Sequence, residues 1–471
     1  MSTIKRKILL LNVMFIVSTG IIYAQNPTAL EEFLQKTCLT HAAVSFKAVN
    51  LSNGKTIASC NEKMAVTPAS NMKIVTTATA LDTLGDGFRF QTALSYDGTI
   101  KNSVLEGNLY LKGSGDPTLG SEFMIGDKEG FLRDCLAALR KAGIKSIEGN
   151  IVVLDQLFGY EGVSPTWVLE DINSYYAPGI YGVSVFDNTY RIYLQSYKPG
   201  TRVKIRSISP EIPGLKLTNE LKATRSGSGD GSRIGGLSSS FEKRLYGTIP
   251  ANRSNYVIKG SIPDPGLFLA NYLYNFLENN NITIKGKATT FRYAHKLPEK
   301  DQVITIIQSP RLPAIVRETN VESNNHYAEH LYQKLLTLDS LNIPNYWARR
   351  GLDGSSLLMV DGSGLSPTDA VTADFLTGIL TYMYKKEGPL GAFYQSLPIA
   401  GQEGTVSTFL KKTPLEGKVH LKSGAIAHVQ SYSGYVEKEG ERYVFSLIVN
   451  NFSGKRTDLR KAMEELLIGL F

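Results

Sequence analysis

The chain has 471 residues, of which 42% are hydrophobic and 20% are charged. This length exceeds one ordinary hydrophobic core, so we expect a globular protein of two or three domains. The net charge of +8 is spread without a long Lys/Arg run, which excludes a dedicated nucleic-acid surface and permits contact with an anionic polymer.

The N-terminus has the pattern of a secretory signal peptide over residues 1–24. Basic residues 5–7 precede an apolar run over residues 8–22, and Ala24 offers a small-residue cleavage point. Loss of this segment, which carries three positive charges, would leave a net charge of +5. We therefore expect a secreted protein, periplasmic or otherwise extracytoplasmic. A retained membrane anchor with peripheral membrane or cell-wall contact is the alternative.

The cysteine content is low. Cys38, Cys60 and Cys135 are odd in number and form no C-x-x-C pair. At most one disulfide can therefore form, and no zinc-type cysteine cluster is indicated.

The mature chain begins with the pattern of a β-hairpin followed by a helix. Residues 42–49 and 56–60 are strand-like and flank an Asn-Gly turn. After Pro68, the apolar residues take helical spacing, which predicts a helix over residues 70–84. The first turn of this helix carries Ser70.

A long β-rich insertion follows. Residues 92–165 contain strands and turns with one helix over 130–142, and residues 166–263 are rich in Gly, Ser, Pro and Tyr. Helical periodicity returns over residues 265–277. We expect two inserted β-rich domains, the first made of residues 92–165 and 264–297 and the second of residues 166–263.

The C-terminal part again has long helices and strands. Helices are predicted over residues 312–336, 373–385 and 457–470, and strands over residues 419–422, 430–436 and 443–449. With the N-terminal hairpin and helix, these elements suggest one α/β (α+β) domain, an antiparallel sheet flanked by helices. We expect it to comprise residues 25–91 and 298–471 and to be split by the insertion.

The segment Ser70-Asn71-Met72-Lys73 carries the first chemical signal. Residues i and i+3 share a helix face, so Ser70 and Lys73 lie together. An uncharged lysine amine can take the proton of a serine hydroxyl and activate it as a nucleophile. The ordinary alternative is an N-cap serine beside a surface lysine.

Two further motifs follow in the order that Ser-Lys acyl transfer needs. In Ser323-Asn324-Asn325, a second hydroxyl can relay protons to a leaving amine, and a carboxamide can hold Lys73. In Lys422-Ser423-Gly424-Ala425, the lysine supplies positive charge for a substrate carboxylate and lowers the pKa of Lys73. The Ala425 amide can join the Ser70 amide as an oxyanion hole.

Together the motifs S-x-x-K, S-x-N and K-S-G resemble those of the penicillin-recognising serine enzymes. Segments between and after them are similar to the class C low-molecular-mass penicillin-binding proteins, the D-alanyl-D-alanine carboxypeptidase/endopeptidase family. These segments are residues 107–117, 167–171, 175–177, 187–188, 260–263, 361–366, 397–401 and 433–436. The resemblance covers nearly all of the mature chain and implies a transpeptidase/β-lactamase-like domain with two inserted domains.

The resemblance also implies a function. It makes Ser70 the acylated nucleophile, Lys73 its base, Ser323 and Asn325 the second motif, and Lys422 to Gly424 the third. The expected activity is that of a serine DD-peptidase, a carboxypeptidase, an endopeptidase or both. It would act on peptidoglycan stem peptides without a cofactor or a metal and be inhibited by β-lactam antibiotics.

The third motif departs from the family pattern. Ser423 replaces the usual threonine and keeps the hydroxyl, whereas Ala425 replaces a common threonine and loses one side-chain contact to a substrate carboxylate. Family members also use the Trp-to-Tyr segment of the insertion to bind a stem-peptide side chain. Asp171 and Tyr176 are therefore candidates to bind a diamino-acid ammonium group.

Three alternative functions stay open at this point. His326-Tyr-Ala-Glu-His330 fits the H-x-x-E-H pattern of some zinc peptidases, although nothing in the sequence singles out a third ligand. A second alternative is a non-catalytic penicillin-binding cell-wall sensor. The third is a β-lactamase, which would need an additional group to activate water; Glu322 and Glu329 lie near the second motif.

Overall fold

The computed structural model describes residues 23–24, 27–298, 300–339 and 341–471. Most of the proposed signal peptide lies outside these residues. In the part of the chain that is described, no helix is long and apolar enough to cross a bilayer.

A six-stranded antiparallel sheet joins the two ends of the chain. Its strands, in spatial order, are Tyr23–Ala24, Thr56–Cys60, Ala43–Asn50, Glu441–Asn450, Val429–Lys438 and Val419–Ile426. Ala43 pairs with Asn450, so residues 407 positions apart in sequence are neighbours in this central sheet. The N-terminal hairpin and the three C-terminal strands thus form one unit, as the sequence pattern predicts.

The central sheet is covered by helices on both faces because successive side chains of a strand point in opposite directions. Val444 and Ile448 pack with the helices Met72–Leu84, Leu312–Val321, Asn325–Leu336 and Ala373–Glu387. Phe445 and Leu447 pack on the other face with Pro27–Leu34 and Arg456–Leu470. The site motifs lie on the first of these faces.

The prediction of one long helix over residues 312–336 is wrong in one respect, because the structure breaks this helix near Ser323. The structure has one helix over Leu312–Val321 and another over Asn325–Leu336. Ser323 has φ +56°, a left-handed conformation that interrupts a helix. The Asn324 side chain then accepts a hydrogen bond from the Tyr327 amide and caps the new helix.

The inserted residues form several smaller sheets. One has the order Ala288–Thr290, Ile151–Leu154, Leu109–Lys112, Gln91–Tyr96 and Gln302–Gln308; another has Thr283–Ile284, Ser146–Ile147, Val104–Glu106 and Thr99–Lys101. A third sheet has the order Lys204–Ser209, Thr189–Ser196 and Arg253–Ser261. In the fourth sheet, Glu242–Pro250 pairs with each of the strands Lys216–Asn219, Lys222–Thr224 and Gly231–Gly235. One cluster of buried apolar side chains, running from Leu94 to Ile307, packs these sheets with the helices Gly130–Lys141 and Pro265–Glu278.

The remaining elements are short. They are the helices Phe291–Ala294, Ile343–Ala348 and Ala392–Ser396, the single-turn helices Thr37–Leu39, Ala69–Asn71, Gln156–Phe158, Phe186–Asn188, Gly354–Ser356 and Gly404–Val406, and the strand pair Leu357–Leu358 and Ala370–Val371. The three cysteines are unpaired, and Cys60 and Cys135 are buried.

Candidate active site

Ser70 and Lys73 lie together at the start of a buried helix. Ser70 belongs to the single turn Ala69–Asn71, which leads directly into the helix Met72–Leu84. The Lys73 Nζ atom lies 3.0 Å from Ser70 Oγ. Lys73 is fully buried, whereas Ser70 reaches the surface of a cleft. The predicted pair is therefore in hydrogen-bonding contact, with only the hydroxyl side open to a substrate.

The surroundings of Lys73 favour its neutral form. Its Nζ atom donates to Asn325 Oδ1 at 2.5 Å and to the Ser363 carbonyl at 2.8 Å. Burial lowers the pKa of Lys73 to about 7, although the nearby Asp361 and Glu329 act in the opposite direction. A neutral amine has two hydrogens and one lone pair. With both hydrogens on these acceptors, the lone pair is left for the Ser70 hydroxyl.

The Asn325 carboxamide has a fixed orientation. Its oxygen accepts from Lys73, and its Nδ2 atom donates to the Tyr176 carbonyl at 2.8 Å. If the oxygen and nitrogen of the amide were exchanged, the nitrogen would face the Lys73 donor and the oxygen would face the Tyr176 carbonyl oxygen. Asn325 therefore connects Lys73 to the segment that carries Tyr176.

Ser323 and Lys422 form the second hydrogen-bonded pair of the site. Lys422 Nζ donates to Ser323 Oγ at 2.9 Å and to the Ser423 carbonyl at 2.8 Å. Burial, together with the charge of Lys73, lowers the pKa of Lys422. The sequence predicts that the charge of Lys422 lowers the pKa of Lys73. In the structure, burial is instead the leading cause of the lowered pKa of both lysines.

The third motif lies on the edge strand Val419–Ile426, next to Ser70. A side chain at Gly424 would place its Cβ atom 2.6 Å from the Pro68 carbonyl oxygen and 2.9 Å from the Ser70 nitrogen, so only glycine fits there. Ala425 follows it and lines the same cleft as Ser70. This close approach places Ala425 and Ser70 in the wall of the same cleft.

Asn71, which precedes the helix Met72–Leu84, forms hydrogen bonds with the strands Val419–Ile426 and Val429–Lys438. Its carboxamide oxygen faces the Ser433 hydroxyl at 2.7 Å, and its nitrogen donates to the Lys422 carbonyl at 2.9 Å. Asn71 is fully buried, so these bonds are shielded from water. The position of Ser70 relative to the third motif is thereby fixed.

Asp171 and Tyr176 lie in the wall of the cleft. The Tyr176 hydroxyl donates to Asp171 Oδ1 at 2.7 Å, and both residues line a cavity of about 690 Å³ together with Ser70. The cavity wall also contains the carboxylates Glu122, Glu170, Asp187 and Glu322. Lys259 is the lysine in this wall, and it is paired with Glu122 at 2.5 Å. The cleft is therefore predominantly acidic.

The sequence motifs did not reveal the role of the loop at residues 361–366. Its Ser363 carbonyl accepts from Lys73, and the Asp361 carboxylate accepts from the Gly364 and Ser366 amides at 2.6 and 2.7 Å. Trp167 of the insertion donates to Asp361 through Nε1 at 2.8 Å. The Asp-Gly-Ser-Gly sequence is a turn signal, but a backbone carbonyl that holds a lysine has no residue-type signature.

The side chains of the H-x-x-E-H pattern are engaged in other contacts. His326 Nε2 lies 2.6 Å from Ser184 Oγ, and His330 Nδ1 lies 3.0 Å from the Gly115 carbonyl. The Glu329 carboxylate accepts from the amides of Gly362 and Ser363. Among the described residues, no group of three or more His, Cys, Asp or Glu side chains is arranged to hold a metal ion.

Comparison with solved structures shows the fold. Penicillin binding protein 4 (dacB) from Haemophilus influenzae superposes with a TM-score of 0.80 at 23% identity, over 94% of this chain and 98% of that one. A predatory peptidoglycan endopeptidase from Bdellovibrio bacteriovorus superposes with a TM-score of 0.53 at 15% identity, over 91% and 92% of the two chains. The predicted fold class, a helix-flanked sheet with inserted β-rich parts, is confirmed.

Sequence comparison gives the family. The chain is 25% identical to the D-alanyl-D-alanine carboxypeptidase DacB of Haemophilus influenzae, over 87% of this chain and 86% of that protein. It is 27% identical to the penicillin-sensitive carboxypeptidase A of Dictyostelium discoideum, over 88% and 84%. The profile of one peptidase family matches residues 27–468 of the 471. The chain therefore belongs to the D-Ala-D-Ala carboxypeptidase 3 (S13) family of serine peptidases, as its motifs predict.

Proposed function

We propose that this protein is a serine DD-peptidase in which Ser70 forms an acyl-enzyme with peptidoglycan stem peptides. The observation that carries the proposal is the buried Lys73, whose Nζ atom lies 3.0 Å from Ser70 Oγ and donates to Asn325 and to the Ser363 carbonyl. No histidine is needed in such a pair, because the lysine itself is the base.

The reaction follows from these contacts. Lys73 takes the Ser70 proton as the Oγ atom attacks the carbonyl between two D-amino acids. The oxyanion is stabilised by the Ser70 and Ala425 amides. Ser323, which accepts from Lys422, relays the Ser70 proton to the leaving amine: it gives up its hydroxyl hydrogen and takes up a proton from the lysines in exchange, so that Lys73 is neutral again before the acyl-enzyme is hydrolysed. Water then hydrolyses the ester and restores Ser70.

The substrate class is proposed from the relatives and from the cleft. The Haemophilus influenzae relative is named a D-alanyl-D-alanine carboxypeptidase, and the Dictyostelium discoideum relative is named a penicillin-sensitive carboxypeptidase. A solved endopeptidase from Bdellovibrio bacteriovorus is acylated by penicillin G. The acidic wall suits a substrate that carries a cation, and Asp171 with Tyr176 is our candidate to bind the ammonium group of a diamino acid. We propose carboxypeptidase or endopeptidase action on such peptides outside the cytoplasm, with β-lactams as inhibitors.

We propose that the catalytic domain is formed by residues 25–91 and the C-terminal part, with the inserted domains between them. The strand Gln302–Gln308 pairs with Gln91–Tyr96 and its Ile307 joins the apolar cluster of the insertion. This pairing supports an end of the first inserted domain near residue 308 rather than residue 297.

Covalent labelling with a fluorescent penicillin tests this function. Wild-type protein should be labelled, Ser70→Ala should not, and the exposed hairpin serine variant Ser52→Ala should be labelled like wild type. Labelling that persists in Ser70→Ala would overturn the assignment of the nucleophile. Release of D-alanine from a D-Ala-D-Ala peptide distinguishes a peptidase from a non-catalytic sensor, and rapid hydrolysis of the penicillin would indicate a β-lactamase.

A further inference from the structure

The hydroxyl groups of Thr405 and Ser423 lie next to each other at the surface beside the third motif. Their oxygen atoms are 2.8 Å apart, and either can be the donor. Thr405 is exposed, and Ser423 is half-buried on the strand Val419–Ile426. Each hydroxyl has one hydrogen, so the bond between them uses one hydrogen and leaves the other free for an acceptor from outside.

The segment that carries Thr405 is held against this strand. The Leu421 amide donates to the Pro398 carbonyl at 3.0 Å, and the Ala400 amide donates to the Val419 carbonyl at 2.9 Å. These bonds extend the edge of the central sheet by one irregular chain segment. The position of the Thr405 hydroxyl is therefore set by the same strand that carries Ser423.

A second contact joins this segment to the second motif. Gly404 has φ +45°, and a Cβ atom at this position would lie 2.1 Å from the Val321 carbonyl oxygen. Val321 ends the helix just before Ser323. Thr405 is thus fixed relative to both Ser323 and Ser423, the two residues that flank the Lys422 ammonium group.

Lys422 alone is a weakened anion-binding group. It is fully buried, its Nζ atom already donates to Ser323 and to the Ser423 carbonyl, and Ala425 offers no hydroxyl. Burial lowers the pKa of Lys422, which reduces the positive charge available to a carboxylate. Hydroxyl donors beside it become correspondingly more important.

We propose that Thr405 and Ser423 together bind the carboxylate of the residue that leaves during acylation, so that Thr405 supplies the side-chain donor that Ala425 lacks. This inference rests on the proposed function. The free hydroxyl hydrogen of the pair donates to one carboxylate oxygen, and the pair is open to solvent on its outer side. A leaving residue that carries further groups beyond its carboxylate therefore also fits.

The test compares two peptides that differ only in this carboxylate. One ends in D-Ala-D-Ala, and the other ends in D-Ala-D-alaninamide, which has no negative charge. The ratio of their kcat/KM values is measured in wild type and in Thr405→Val, Thr405→Ser and Thr408→Val. Thr408 is the matched control, because it is an exposed threonine three residues away whose hydroxyl accepts from Arg460. Since each ratio is measured within one preparation, the folded fraction cancels.

Thr405→Val should lower the acid-to-amide ratio by about tenfold or more, the effect of one hydrogen bond to a charged group. Thr405→Ser should restore the ratio, and Thr408→Val should leave it unchanged. An unchanged ratio in an active Thr405→Val protein would overturn the role of Thr405 alone. A wild-type protein that cleaves neither peptide and takes no penicillin label would instead overturn the proposed function.

Discussion

The Nζ atom of Lys73 lies 3.0 Å from Ser70 Oγ, and the lysine is fully buried. Asn325 and the Ser363 carbonyl accept its hydrogens and so direct the lone pair toward the serine. Burial, rather than a neighbouring cation, is the main reason that the amine is poised to accept a proton near neutral pH. In the proposed function, the packing of the helix Met72–Leu84 therefore prepares Lys73 to act as the base.

The rate of acylation should follow the titration of Lys73. The ammonium form has no lone pair, so the second-order rate constant for penicillin acylation should rise with pH through about 7 and level off above it. In the acid limb the rate should fall about tenfold for each pH unit. Stopped-flow acylation over this range measures the midpoint.

Asn325→Asp provides a matched variant for this pH profile. A carboxylate in contact with Lys73 favours the charged lysine, so the midpoint should move to higher pH. A profile that is flat through pH 7 in wild type, or a midpoint that moves downward in the variant, would contradict the assignment of Lys73 as the base.

The sequence predicts the Ser-Lys pair and the central sheet well because both depend on local spacing. The i, i+3 spacing of Ser70 and Lys73 fixes their contact wherever the helix lies, and alternating strands at both ends of the chain indicate a shared sheet. The S-x-N motif lines the same cleft as Ser70, and the K-S-G motif is joined to it by the hydrogen bond from Lys422 to Ser323.

Other features of the site depend on tertiary contacts and leave no recognisable spacing pattern in the sequence. The break at Ser323 is a backbone conformation of φ +56° inside a sequence that has continuous helical periodicity. The third partner of Lys73 is a carbonyl of residue 363, which any residue type could supply. Trp167 reaches Asp361 from 194 positions away, a contact that only the folding of the insertion creates.

Trp167→Phe should weaken the loop at residues 361–366. The substitution keeps an aromatic ring but removes the buried N–H that donates to Asp361 at 2.8 Å. Loss of one hydrogen bond to a buried carboxylate should reduce the free energy of unfolding by about 2 kcal/mol. Because Asp361 orients the loop whose Ser363 carbonyl holds Lys73, the rate of penicillin acylation should also fall.

Trp347→Phe is the control for this prediction. It removes a comparable buried bond, from Nε1 to Thr79 Oγ1 at 2.9 Å, without touching Asp361. Urea unfolding should show a loss of stability for both variants, smaller for Trp347→Phe because the Thr79 hydroxyl is neutral, whereas acylation at saturating pH should fall only in Trp167→Phe. Equal acylation rates in both would show that Trp167 has no positioning role.

Asp82→Asn should destabilise the far end of the helix that carries Lys73. Asp82 is buried and accepts from Arg350 at 2.8 Å, from Tyr346 at 2.6 Å and from Lys386. Burial alone would raise the pKa of Asp82, but the hydrogen bonds from Lys386 and Tyr346 outweigh it and lower the pKa. Because the two cations are partly exposed, we expect a loss of about 2 kcal/mol at neutral pH.

The pH dependence of this loss has a defined sign. A carboxylate with a lowered pKa stabilises the folded state above its unfolded pKa, and this stabilisation disappears as the pH falls through the folded value. The difference between wild type and Asp82→Asn in urea unfolding should therefore shrink below about pH 4. Asp374→Asn, which breaks the more exposed pair with Lys47, should cost less than about 1 kcal/mol. A larger loss for Asp374→Asn than for Asp82→Asn would refute this ranking.

Gly364→Ala should disrupt the nucleophile more than an ordinary glycine substitution does. Gly364 has φ +75°, and a Cβ atom there would lie 1.8 Å from the Ala69 carbonyl oxygen. Gly388 has nearly the same φ, +71°, but no atom lies within 4 Å of its added Cβ. Gly388→Ala thus measures the cost of a positive φ without a collision, about 1 to 3 kcal/mol.

A loss of stability in Gly364→Ala beyond that in Gly388→Ala measures the effect of the collision between the added Cβ atom and the Ala69 carbonyl. That collision must push the turn Ala69–Asn71 away from the loop at residues 361–366, and Ser70 moves with this turn. We expect Gly364→Ala to lose about 3 kcal/mol or more of stability and most of its penicillin acylation per folded molecule, while Gly388→Ala keeps wild-type acylation. If the two variants unfold at the same urea concentration and acylate equally, the packing of residue 364 against the nucleophile turn does not position Ser70.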